Sequence, residues 1–175
     1  MLNTIFLIGY MGAGKSVIGK YLSKNNGFNF YDLDNYIEEK EGKKISEIFN
    51  NNNEVYFRNI ENIYLEEISQ IQENKIISTG GGTPCFQNNF KIIDKLPNSI
   101  SIYLKASPDT LTDRLKDSIE NRPLISHLQN PVELKEFIKK HLFERSFYYE
   151  KSKVKIKTDD LDVNAVVKLI KQLLT

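Results

Sequence analysis

Cysteine occurs once in the chain, at Cys85, and that scarcity removes two architectures at the outset. One thiol builds neither a disulfide framework nor a cysteine-based zinc site, so a reducing compartment suits the chain. Long apolar runs are missing too. The longest are four or five residues, such as Ile5-Phe6-Leu7-Ile8, against the roughly 20 that a membrane-spanning helix requires. The N-terminus shows no basic segment, apolar stretch and cleavage site in succession, so a cytoplasmic protein with no membrane partner is expected. An excess of either charge is also absent: 24 Lys and Arg face 23 Asp and Glu, a net charge of +1 with no sustained basic run. That balance argues against a nucleic-acid partner and for a small molecule.

Arginine is scarce in a sharper way. Only Arg58, Arg114, Arg122 and Arg145 stand among the 24 basic residues, so surface charge comes from lysine. A guanidinium binds carboxylate and phosphate through a planar fork that an ammonium cannot copy. The four arginines are therefore the first candidates for anion recognition. Nothing marks a linker or a repeat, and 175 residues with 40% hydrophobic content suffice for one domain and one core.

What is present is concentrated near the N-terminus. The apolar run Thr4 to Ile8 leads into Gly9-Tyr10-Met11-Gly12-Ala13-Gly14-Lys15-Ser16, followed by a helical stretch from Val17 to Leu22. A strand, a glycine-rich turn and a helix start in the pattern G-x-x-x-x-G-K-[ST] define a P-loop. Glycines let successive N–H groups point inward, and the positive end of the helix reinforces them against a di- or triphosphate. Lys15 is placed for the β/γ-phosphates and the Ser16 hydroxyl for Mg²⁺.

Phe28 to Asp32 reads as a second strand ending in Asp32-Leu33-Asp34. Ligands sit beyond the carboxyl ends of strands in open α/β sheets, so these aspartates suit a metal and a substrate. Asp34 also suits the N-cap of a helix over Asn35 to Lys40. The third strand, Lys75 to Ser78, runs into Ser78-Thr79-Gly80-Gly81-Gly82 with no acid at its end. P-loop proteins usually hold Mg²⁺ with a carboxylate at such a place, which makes Asp32 the nearest substitute. Between them, Glu54 to Ile71 predicts a long helix with Phe57, Ile60, Tyr64, Ile68 and Ile71 on one stripe and Arg58 beside it.

Further along, Pro84 to Lys95 reads as a helix and Ser99 to Leu104 as a fourth strand. Ser107-Pro108 opens the helix carrying Arg114. Asp117 to Gln129 lacks periodicity and includes Arg122, the pattern of a lid. Asn130-Pro131 starts the next helix, with Glu133 in the capping-box position and Arg145 near its end. Lys153 to Lys157 alternates as a lysine-guarded edge strand, and Asp162 caps a last helix over Val163 to Leu174. His127 and His141 are read as surface and structural residues.

The segments GYMGAGKS, DLD at Asp32 to Asp34, EVYFRNIE at Glu54 to Glu61, STGGG from Ser78, NRPLI from Asn121 and FERSFYYE around Arg145 together resemble the shikimate kinase family. They span roughly residues 5 to 150, in family order and spacing. The resemblance implies a P-loop α/β three-layer sandwich on a five-stranded parallel sheet in order 2-3-1-4-5, as a single domain over residues 1–175. It implies a substrate-binding segment at about 33–61 and a lid at about 117–129. Transfer of the γ-phosphate of ATP to the 3-hydroxyl of shikimate, with one Mg²⁺, follows from it. ATP is then expected to contact Gly12, Ala13, Gly14, Lys15, Ser16, Val17, Arg114 and Arg122, with Arg114 stacked on adenine. Shikimate is expected to contact Asp34, Arg58, Gly80, Gly81, Gly82 and Arg145, with Phe49, Phe57, Pro123 and Leu124 lining the rest. The metal falls to Ser16 and Asp32, and catalysis to Asp34, Lys15 and Arg122.

Two positions depart from the family pattern. Asn53 replaces a glycine common before the Glu54 helix, a change that left-handed geometry at asparagine would accommodate. Thr158-Asp159-Asp160 lacks the basic residue that some members bring to ATP, which bears on nucleotide selectivity. Two competitors remain: a nucleotide-gated switch, which lacks an N-K-x-D segment here, and another P-loop small-molecule kinase such as one for a sugar acid. A monomer is expected.

Overall fold

The computed structural model describes residues 2–24, 27–119, 124–128 and 130–174. The central strand β1 (Thr4–Ile8) is buried at every position. It pairs in parallel with β3 (Lys75–Ser78) on one side and β4 (Ser99–Lys105) on the other, with Ile5 opposite Ile76 and Ile100. A parallel strand covered on both faces reads as a continuous apolar run, and Ile5, Phe6, Leu7 and Ile8 are each exposed by 1% or less. Outer strands β2 (Asn29–Asp32) and β5 (Val154–Lys157) complete the order β2-β3-β1-β4-β5. That is the order which the resemblance implied. At the β5 edge only Ile156 is buried, and Lys155 and Lys157 face solvent.

Every strand delivers its carboxyl end to one rim. Helix α1 (Lys15–Ser23) starts there after Gly14, whose φ of 93° is left-handed and suits glycine. Helix α2 (Leu33–Glu41) follows β2 directly, and α3 (Ile45–Asn51) leads to the long α4 (Glu54–Gln70). After β3 the chain makes a 3₁₀ turn (Thr83–Cys85) and then α5 (Asn89–Lys95). The single helix expected over Pro84 to Lys95 is thus two pieces. Gln87 between them has a φ of 51°, which breaks the helical path. Helix α6 (Pro108–Leu115) begins at its Ser107 cap, α7 (Pro131–Tyr149) at Asn130, and α8 (Val163–Leu174) ends the fold. Asn130 Oδ1 accepts from the N–H groups of Val132 and Glu133, and Asp162 Oδ1 from Ala165 N–H.

One capping expectation and one backbone expectation change. Asp32, not Asp34, is the N-cap of α2, and its side chain accepts from Asp34 N–H. The helix starts two residues earlier than the sequence suggested because β2 ends directly in it. Asn53 is extended, with φ −155° and ψ 175°, and caps α4 by accepting from Tyr56 N–H at 2.9 Å. Left-handed geometry is not used there; asparagine serves as a capping acceptor. A 3₁₀ turn over Lys116–Ser118 leads into the expected lid, within which Ile125 is fully buried. Arg122 and Pro123 lie outside the described residues.

Candidate active site

The P-loop wraps the start of α1 at the sheet rim. Lys15 is nearly buried, and its Nζ donates to the carbonyls of Gly9 at 2.8 Å and Tyr10 at 3.0 Å. The ammonium is thereby held across the mouth of the loop, over the turn that would receive phosphates. Ser16 Oγ donates to Asp32 Oδ2 at 2.5 Å and lies 3.4 Å from Ser78 Oγ. Two strand ends, of β2 and β3, therefore converge on one hydroxyl at the start of α1. Two hard oxygen donors in contact fit Mg²⁺, which takes few protein ligands and completes its shell with water and substrate phosphates.

A cavity of about 620 Å³ opens over this rim. Its wall includes the P-loop from Met11 to Val17, both Asp32 and Asp34, and Gly80 with Gly81, and it extends to Arg114 and Thr158. Arg114 bridges the two sides of that far end, donating to Gly12 carbonyl at 3.3 Å and to Thr158 carbonyl at 3.0 Å. Asp159 points away, accepting from Ser107 N–H at 2.8 Å and Thr110 Oγ1 at 2.6 Å. The segment after β5 thus contributes backbone to the cavity, and its acid is used to fasten α6.

Asp34 occupies the opposite end, half-buried on the first turn of α2. Burial, followed by the charges of Asp32 and Glu61, pushes its carboxyl from 3.8 up to about 6, against the pull of Lys15 and Arg58. A carboxyl poised there can accept a hydrogen bond or a proton near neutral pH.

The triple glycine packs directly against Arg58. Gly82 lies so close to Arg58 that a Cβ would stand 2.8 Å from Nη2 and 3.0 Å from Nη1. Gly80 is as tight against the acids, where a Cβ would stand 3.0 Å from Asp34 Oδ1 and 3.2 Å from Glu61 Oε1. Arg58 itself is clamped by Glu61 at 2.8 Å and Glu54 at 3.2 Å, and its guanidinium lies 3.9 Å from the Phe86 ring centroid. Arg145 arrives from α7 and lies 5.9 Å from the Tyr10 ring centroid. Phe49 and Phe57 stack at 4.6 Å between centroids beside Arg58, whereas Leu124 is 47% exposed.

Several contributors escaped the sequence reading. Glu61 is fully buried and also accepts from Thr83 Oγ1 at 2.6 Å, so it braces both Arg58 and the turn after the glycines. A charged residue on the apolar stripe of α4, one position after Ile60, was the available signal. Tyr10 lies 3.2 Å from His141 Nδ1, joining the P-loop to α7; nothing in the local pattern distinguishes that tyrosine.

A five-stranded parallel sheet in this order, a P-loop at the end of its central strand and an acid-and-arginine pocket beside it define a P-loop small-molecule kinase. The shikimate kinase family model matches residues 11–175. The chain belongs to the shikimate kinase family. It is 44% identical over 173 residues to the shikimate kinase of Flavobacterium johnsoniae, covering 99% of each chain. Among solved structures it resembles the shikimate kinase of Bacteroides thetaiotaomicron, with a TM-score of 0.90, 35% identity and 98% and 97% coverage. It also resembles the Acinetobacter baumannii shikimate kinase in complex with shikimate, with a TM-score of 0.89, 30% identity and 99% and 93% coverage.

Proposed function

We propose that the chain transfers the γ-phosphate of ATP to the 3-hydroxyl of shikimate, giving shikimate 3-phosphate and ADP in chorismate and aromatic amino-acid biosynthesis. The observation that carries this reading is the placement of Asp34. Its carboxyl shares one cavity with Lys15 and the P-loop, while Arg58 on α4 lies against the adjoining Gly82 and Arg145 on α7 lies beside Tyr10 of the P-loop.

Roles follow from that placement. Arg58 and Arg145 take the substrate carboxylate, with the backbone of Gly80, Gly81 and Gly82 beside it, and Asp34 holds the attacking hydroxyl and accepts its proton. Gly12, Ala13, Gly14, Lys15, Ser16 and Val17 receive the nucleotide phosphates, and Arg114 the adenine end. Phosphoryl transfer needs positioning and charge stabilisation far more than covalent work by the protein. Ser16 and Asp32 would hold one Mg²⁺, which supplies positive charge to the phosphates when bound. Arg122 would add positive charge from the lid at about 117–129, whose closure would exclude water as a competing acceptor. No helix among the described residues is long and apolar enough to cross a membrane. We assign a cytoplasmic monomer of one domain, acting on small molecules and not on nucleic acid.

Product analysis tests the acceptor and the position together. Incubation with MgATP and shikimate should give one phosphate ester whose ³¹P signal couples to the proton on C3. Coupling to a different ring proton would refute the placement of Asp34, and no ester would refute the acceptor. A sugar acid as acceptor has no observation of its own in its favour.

A further inference from the structure

Tyr149 lies one turn beyond Arg145 on α7, so the two side chains leave the same face of the helix. Its side chain is fully buried, with the ring packed on Tyr103 at 5.2 Å between centroids. The hydroxyl donates to the Gly81 carbonyl at 2.5 Å, across 68 residues of chain. Gly81 in turn rests on the P-loop, where an added Cβ would stand 3.2 Å from Met11 N. One phenol thus joins the helix bearing Arg145 to the middle of the triple glycine. Burial raises its pKa strongly, with the Arg145 charge and a hydrogen bond from it acting the other way. The hydroxyl therefore stays protonated as a donor, with its oxygen facing the guanidinium.

We propose that Tyr149 is a positioning residue for the acid end of the site: its hydroxyl locks Gly81 to the turn of α7 that carries Arg145. The glycine backbone and the guanidinium then keep one spacing, which a planar carboxylate can match without reordering either. This rests on the reading of the site as a shikimate site. A carboxylate recognised by an unanchored arginine loses the advantage of a preset fork. Tyr149 touches no reacting atom, so its removal acts on binding of the acid and leaves phosphate transfer intact.

The test is Tyr149→Phe, which deletes the hydroxyl and keeps the ring. KM for shikimate should rise about five- to twenty-fold, as expected for loss of one hydrogen bond at a charged site. Both kcat and KM for ATP should stay within about two-fold, since neither depends on the anchored spacing. The primary amide of shikimic acid supplies the readout that a merely structural role would not leave alone. Its KM should be the same in wild type and variant, because it brings no carboxylate to the fork. In an Arg145→Ala background, Tyr149→Phe should add less than about a two-fold change in KM for the acid, since coupled residues are not additive. Should the phenylalanine variant fail to fold, Tyr149→Met fills the gap flexibly and is read in the same way. An unchanged KM for shikimate, equal losses with acid and amide, or independent penalties in the double variant would each overturn the proposal. Wild type without shikimate turnover would instead overturn the functional reading on which it rests.

Discussion

The Arg58 guanidinium is held from within its own helix by Glu61, Nη1 to Oε2 at 2.8 Å, with 12% of the arginine side chain and 1% of the glutamate exposed. Glu54 takes its other side at 3.2 Å and the Phe86 ring covers it at 3.9 Å. A guanidinium fixed in this way meets a carboxylate with its orientation already set, which lowers the cost of ordering it on binding.

Arg58→Lys follows from that clamp. An ammonium cannot hold Glu61 and a substrate carboxylate in one plane. KM for shikimate should rise by about ten- to a hundred-fold, equivalent to ~1.4–2.7 kcal/mol, with KM for ATP unchanged. Steady-state kinetics with each substrate varied in turn would measure both, and an unchanged KM for the acid would remove Arg58 from the site.

Gly82→Ala separates close approach from backbone strain. Gly82 has φ −91°, which alanine adopts freely, and the nearest obstacle to a Cβ is the Arg58 guanidinium, at 2.8 to 3.1 Å. The variant should fold normally and unfold within ~1 kcal/mol of wild type, yet bind shikimate several-fold more weakly because Arg58 must shift. Calorimetric titration alongside a urea melt checks the two halves. Normal affinity would show that the packing of Arg58 on Gly82 is incidental.

Asp34→Asn sets function against stability. The Asp34 pKa is raised on folding from 3.8 to about 6, chiefly by burial. The stabilisation linked to its protonation is therefore complete below the unfolded value and lost as pH rises through about 6. Asparagine is neutral throughout and keeps that stability. Free of nucleotide and metal, the variant should be more stable than wild type at pH 7.5 by ~1–3 kcal/mol, with the difference vanishing below about pH 4. Phosphate transfer should be abolished while ATP affinity stays within a few-fold. Thermal melts across this pH range and a turnover assay test both, and near-normal turnover would end the assignment of Asp34 as base.

Asp32→Asn addresses the metal. The Ser16 hydroxyl donates to this carboxylate at 2.5 Å, and the same side chain caps α2. Asparagine preserves the cap but loses the charge, so the Mg²⁺ concentration at half-maximal rate should rise about ten-fold or more, with helix content unchanged by circular dichroism. An unaltered Mg²⁺ requirement would place the metal's carboxylate elsewhere.

Much of this arrangement was legible in the residues. GYMGAGKS after a fully apolar strand specified the P-loop and its position at the sheet rim, and the scarcity of arginine singled out Arg58 and Arg145 before any pocket was visible. What escaped was tertiary in origin. Glu61 is a surface residue by type, and only the convergence of Arg58 and Thr83 gives it reason to be buried. Tyr149 reads as one aromatic among several in Phe147-Tyr148-Tyr149, and its bond to Gly81 joins segments 68 residues apart. The cap of α2 moved from Asp34 to Asp32 because two candidate acceptors two residues apart are equivalent until the strand end is fixed. The strand order came from the family resemblance, since periodicity carries no information about neighbours in a sheet.

The most direct test of the account is coupled ADP release with MgATP and a panel of acceptors: shikimate, gluconate, CMP and none. Turnover should depend on shikimate and exceed the rate without acceptor by orders of magnitude, with gluconate and CMP at that background. Equal or faster release with gluconate or CMP, or none above background with shikimate, would contradict it.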